Sequence, residues 1–192
     1  MAKIRKRGNF TEGNSCKIAI SEVNLTSIQL IHINISMEEI KNQLIKHIDG
    51  GEAFMPVDKM WDYISLKNLC IRPKDLPYSF YEIFYHMRFA QKDILDYILD
   101  EDYTSHEWPQ DYWPSEIKLK SQEEWNVLVL KFKEERQQLI NYISKEEHDL
   151  LKPLNADSKH SLLREILLVI EHNAYHSGQL LIVLRSLGLY PA

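Results

Sequence analysis

His172 and His176 lie four residues apart in the segment Glu171-His172-Asn173-Ala174-Tyr175-His176-Ser177-Gly178-Gln179. On a helix that spacing is just over one turn, so both imidazoles leave one face, close enough to share one ion. The same face carries Leu168, Val169, Gln179 and Val183. The two rings therefore point with apolar neighbours, and buried imidazoles need polar partners. A third donor must come from another helix. His86 is the candidate, one turn from Ile83 and from Ala90 on the inward flank of its own helix. Three imidazoles on two facing helices can bind a divalent cation and leave a coordination position open for water or substrate, as catalytic zinc sites do. The positions equally suit three core-edge histidines hydrogen-bonded to carbonyls or carboxylates, and spacing leaves both readings open. All-nitrogen ligation suits zinc or nickel and is compatible with iron or manganese. An ion held this way polarises a carbonyl or lowers the pKa of water or a thiol.

The acid or base such chemistry uses is harder to place. A zincin carries Glu directly after the first histidine of its pair, but Asn173 stands there, so that protease mechanism is unsupported. Glu165, seven residues before His172, is a candidate to orient a ligand imidazole, and Gln179, three after His176, is a candidate outer-shell or substrate contact. Glu82 reads more simply as half of a capping box. Tyr85 and Tyr175 read as aromatic packing. His47 suits a helix C-terminus, His106 and His148 lie in polar surroundings, and His160 reads as a structural contact. Cys70 has no base near it in sequence and reads as a packed thiol.

These side chains need rigid helices to hold them, and the sequence marks where those start. Ser36/Glu39, Ser79/Glu82 and Ser121/Glu124 match the Ser-x-x-Glu capping box. They predict helices over about 37–48, 80–100 and 122–144, the first ended by Gly50-Gly51. A fourth helix is predicted from about Ser161 to Gly188; it is apolar nearly all round and expected to be the most buried. A short helix is expected around 57–64, and the Pro-rich aromatic run 108–114 is expected to be a loop. Four helices without central strands give an all-α four-helix bundle.

Residues 1–36 differ, with five basic residues against two acidic. Over 17–35 the apolar positions alternate as in a β-hairpin around Asn24-Leu25-Thr26-Ser27. This N-terminal extension reads either as a docked hairpin or as a flexible leader, ahead of a domain over 37–192. The chain has 192 residues and a net charge of −5, with 44% hydrophobic residues. An acidic chain without clustered Lys and Arg makes a poor nucleic-acid clamp. No run reaches the length of a membrane span, and no apolar stretch follows the basic N-terminus as a signal peptide requires. Two cysteines suit a reducing cytoplasm.

From Met37 onward the chain resembles the DinB-like (DinB/YfiT) superfamily of four-helix bundles. The resemblance is carried by Phe84-Tyr85-His86-Met87-Arg88-Phe89-Ala90-Gln91-Lys92-Asp93-Ile94-Leu95. It is carried equally by His160-Ser161-Leu162-Leu163-Arg164-Glu165-Ile166-Leu167-Leu168 with the 172–179 segment, and by Trp108-Pro109 and Tyr112-Trp113-Pro114. It implies that His86, His172 and His176 ligate a divalent metal. It also implies a metal-dependent hydrolase or an S-transferase using a low-molecular-weight thiol, acting on a small molecule, and a homodimer. A non-catalytic bundle with a structural ion is the alternative, and a protein-binding bundle using the aromatic loop is the weaker one. The family as known has no counterpart of the 17–35 segment.

Overall fold

The computed structural model describes residues 27–155 and 158–190, and the chain divides into two units, Met1–Ile35 and Ser36–Ala192. Among the described residues, six α-helices run in the order α1 (Ser27–Asp49), α2 (Val57–Met60), α3 (Leu66–Leu69), α4 (Phe80–Leu99), α5 (Gln122–Ile143) and α6 (Leu162–Ser186). Short 3-10 turns cover Trp61–Tyr63 and Gln110–Tyr112. No strand forms among the described residues beyond an isolated bridge between Pro153 and Ser161. The all-α reading is therefore correct.

Helix ends follow local chemistry. Ser79 Oγ accepts from the Glu82 amide at 3.3 Å, and Glu82 Oε2 accepts from the Ser79 amide at 2.9 Å, a complete capping box. Arg72 grips the same carboxylate, its Nε 2.9 Å from Oε2. Burial pushes the Glu82 carboxyl up, but Arg72 and Ser79 outweigh it and the group titrates below its ordinary value. At α5, Ser121 accepts from Glu124 N, while Glu124 accepts from the Lys120 amide, so only half a box forms. Ser161 caps α6 through the Arg164 amide. Gly188, at φ +68°, turns the chain so that Leu189 N reaches back to Leu184 O at 2.9 Å.

Along three helices the buried surface is interrupted at the same level. Phe80, Phe84 and Met87 of α4, Trp125 and Phe132 of α5, and Leu180, Val183 and Leu184 of α6 form one apolar cluster with Val57, Met60 and Leu69. Leu95 and Ile98 of α4, Leu139 and Ile143 of α5, and Leu162, Ile166 and Val169 of α6 form a second, joined by Leu44 and Ile48 of α1. Near the junction of the two clusters each helix buries polar groups: His86 and Gln91 on α4, Glu135 on α5, His176 and Ser177 on α6. Glu135 is met by Arg88, whose Nε lies 2.9 Å from Oε2. Gln91 Nε2 donates to Phe132 O at 3.0 Å and its Oε1 accepts from Asn173 at 3.2 Å. Burial raises the Glu135 carboxyl against the pull of Arg88.

Three expectations need correction. First, α1 begins at Ser27, so Ser36/Glu39 lies inside a helix and residues 27–35 are not the second strand of a hairpin. Ile28, Ile31 and Ile35 are three and four apart, so this stretch carries a helical period alongside its alternation. The proposed first strand lies outside the described residues. Second, α4 is more buried than α6, with eleven of its 20 residues against nine of 25. It packs on both α5 and α6, while Leu167, Tyr175 and Ile182 of α6 face outward. Third, the aromatic loop contains a helical turn over Gln110–Tyr112.

Arg88→Met is expected to cost about 3–5 kcal/mol in urea unfolding, because it strands a buried carboxylate. Adding Glu135→Leu should recover most of that loss; a double variant no more stable than Arg88→Met would contradict the pairing.

Candidate metal centre

α4 and α6 pack against each other more extensively than any other pair of described elements. His86 follows Ile83 by one turn on α4, and His172 and His176 sit one turn apart on α6, so the contact line brings the three rings together. His86 Nε2 and His172 Nε2 lie 3.2 Å apart. One potential ligand atom from each histidine falls within 4.8 Å of the other two. Ring centroids are 5.0 Å apart for His86 and His172, 4.7 Å for His86 and His176, and 4.4 Å for His172 and His176.

Outer contacts orient two of the rings. The Tyr112 backbone carbonyl lies 3.2 Å from His86 Nδ1, and Gln179 Oε1 lies 2.7 Å from His176 Nδ1. With Nδ1–H donating to oxygen, Nε2 keeps its lone pair. Gln179 is itself held, since its Nε2 donates to Tyr175 Oη at 3.1 Å. Trp113 lies flat on His86, centroids 4.3 Å apart and planes within 6°, and Tyr78 stacks on Trp113 at 4.3 Å. Trp108 and Tyr112 also pack near His86, at 6.0 and 6.2 Å. Trp108 and Tyr175 are largely exposed, so aromatic side chains rim the site.

The electrostatics keep all three rings neutral. Burial, then the neighbouring His176 and His86, lowers His172 to about 3. Burial lowers His176 to about 4 against the support of Gln179, and it lowers His86 against the Tyr112 carbonyl. A neutral imidazole is the form that ligates a metal. The donor set fits a cation as well. Nitrogens bound tetrahedrally at about 2.0–2.1 Å stand roughly 3.3–3.4 Å from one another, close to the 3.2 Å between the two Nε2 atoms. Two buried histidines and one half-buried histidine so placed could hold a metal ion.

Glu165 makes different contacts from those expected. Its carboxylate meets Arg164 Nη1 at 2.7 Å and His160 Nδ1 at 3.0 Å. Seven residues are about 10 Å of helix, and these two partners at the N-terminal end are nearer than His172. His160 accordingly makes a structural contact. His148, expected in polar surroundings, stacks on Tyr142 with centroids 3.7 Å apart. Cys70 is half-buried, its Sγ accepting from the Leu119 amide at 3.4 Å. The roles of Tyr112 and Trp113 against His86 went unread in the sequence. The aromatic density of 108–113 flags the segment, but a backbone carbonyl leaves no residue signature.

Among the described residues, no helix is long and apolar enough to cross a membrane. The curated proteins contain no significant match to the chain, and the solved structures contain none. A family model described as the DinB superfamily matches residues 55–180, which include α4, α5, all three histidines and most of α6. With the helical architecture and the histidine cluster in place, that match shows that this chain belongs to the DinB superfamily.

Proposed function

We propose that His86, His172 and His176 hold one divalent cation and that the remaining coordination positions serve a small-molecule substrate. The observation that carries this reading is the convergence of three neutral imidazoles from two helices, with two Nε2 atoms 3.2 Å apart. Zinc or nickel suits the all-nitrogen set best. When bound, such an ion supplies a Lewis acid that polarises a carbonyl or phosphoryl group and makes water or a thiol more acidic. The chain's own residues hold the imidazoles neutral, turn the lone pairs inward through Tyr112 and Gln179, and shield one face of His86 with Trp113. A recess of about 200 Å³ lined by Leu76, Tyr78, Ile83, Gln179 and Ile182 adjoins the site through Gln179 and suits an apolar substrate group. The reaction read from these features is hydrolysis or thiol S-transfer, the latter with a low-molecular-weight thiol as cosubstrate. No carboxylate joins the histidine cluster among the described residues, which favours chemistry in which the ion itself acidifies the nucleophile.

One observation favours a second reading, an ion that is purely structural: the ligands come from both α4 and α6, so a cation would cross-link the most extensive helix contact. The two readings separate on paired measurements. Protein purified without a histidine tag and supplied with zinc should retain about one equivalent, and His86→Ala, His172→Ala and His176→Ala should each abolish retention. If the metal-free variants keep the melting temperature of zinc-loaded wild type, the ion serves chemistry. If metal removal alone collapses that temperature, the structural reading stands. Less than about a tenth of an equivalent in wild type would refute both.

The depressed imidazole values carry a pH signature. In the metal-free protein the unfolded histidines take up protons near 6.5 while the folded ones resist until about 4 for His176 and about 3 for His172. Stability from these groups is thus complete above 6.5 and lost as the pH falls through that window. Metal binding should show the converse insensitivity. Zinc affinity should change less than about tenfold between pH 7.5 and 5.5, where three histidines of ordinary pKa would lose about a thousandfold. Competition titrations against a chelator of known proton dependence measure the difference.

A further inference from the structure

Asp93 lies seven residues after His86 on α4, two turns along nearly the same face. Its side chain is only 12% exposed, and each carboxylate oxygen receives a tyrosine hydroxyl. Tyr103 Oη donates to Oδ1 at 2.7 Å and Tyr112 Oη donates to Oδ2 at 2.5 Å. His106 Nε2 stands 3.8 Å from Oδ1. Tyr103 and Tyr112 bracket the segment that carries Trp108 and the 3-10 turn Gln110–Tyr112. One carboxylate on α4 therefore ties down both ends of that segment, and the backbone carbonyl of Tyr112 is the group that meets His86 Nδ1 at 3.2 Å.

We propose that Asp93 is a positioning residue for the metal centre. By gripping the Tyr103 and Tyr112 hydroxyls, it holds the Tyr112 carbonyl against His86 Nδ1 and so keeps His86 Nε2 as the free lone pair facing α6. A carboxylate is suited to this task because it can only accept, and it offers an oxygen to each hydroxyl. Hydrogen bonds to an ionised acceptor are roughly twice as strong as neutral ones. An asparagine of the same shape keeps one accepting oxygen and sets an N–H₂ against the second hydroxyl. The route from Asp93 to His86 runs through one residue, Tyr112, whose hydroxyl and carbonyl serve its two ends. A tethered carbonyl selects the Nδ1–H tautomer; a free loop would let the ring flip between tautomers.

This inference rests on the reading that the three histidines hold a cation, and its test separates the two. Asp93→Asn and Tyr112→Phe are conservative in shape, and both are to be compared with wild type in two measurements. Zinc dissociation constants from chelator competition should rise about tenfold or more in each variant, the size of effect seen for outer-shell partners. Nitrogen-15 spectra of the metal-free protein at neutral pH should show His86 as Nδ1–H in wild type, and as a mixture or as Nε2–H in the variants. Lower melting temperatures with unchanged zinc affinity and an unchanged His86 tautomer would overturn the proposal, leaving Asp93 a mere loop clasp. If wild type binds no zinc, the metal reading fails, and the tautomer decides alone: its loss in Asp93→Asn supports the positioning role and its retention refutes it.

Discussion

A helical bundle that buries polar groups in its middle must find partners for nearly all of them, and much else here follows from that requirement. Unpaired buried polar atoms cost roughly 1–3 kcal/mol each, and unpaired charges cost more. The level between the two apolar clusters answers with specific partners: Arg88 for Glu135, Phe132 O and Asn173 for Gln91, Tyr112 O for His86, and Gln179 for His176. The partners come from four different parts of the chain, so this layer sets the relative register of α4, α5 and α6. Leucine packing alone would tolerate sliding by a turn; this set of hydrogen bonds does not.

The histidines differ from the rest of that layer. Gln91 and Glu135 have both ends of their side chains engaged by other helices, whereas His86 and His176 meet an oxygen at Nδ1, and His86 Nε2 faces His172 Nε2 at 3.2 Å. With His172 they leave ring nitrogens converging on one small volume. Without a cation, His172 Nε2 can donate its proton to His86 Nε2 across the 3.2 Å between them. A divalent cation could take the place of that proton, so polar satisfaction and ligand geometry involve the same three residues.

Much of this was legible in the residues themselves. Local chemistry announced the long helices: Ser79 with Glu82, Ser121, Ser161, and Gly50 and Gly188 at their ends. The flanking of His86 by Ile83 and Ala90 marked it as inward, and the four-residue spacing of His172 and His176 marked a shared face. Ile28, Leu30, Ile33 and Ile35 misled because their alternation overlaps the helical spacing of Ile28, Ile31 and Ile35 over so short a run, and helical hydrogen bonding prevails there. Other features rest on distances that no pattern encodes. Arg88 and Glu135 meet across 47 positions, and nothing local to either says so. Glu165 shows the opposite failing: helical phase placed it near the face of His172, while rise along the axis carried it to His160 and Arg164.

The division of the apolar core into two clusters has a consequence for how the molecule tolerates change. Substitutions such as Phe84→Leu in one cluster and Ile143→Val in the other share no neighbours, so their free energies should add. Substitutions in the polar layer touch partners from both halves and should not. The two ends of the bundle can therefore diversify independently, while the seam between them, and with it the Gln179 and Tyr78 edge of the recess, stays constrained.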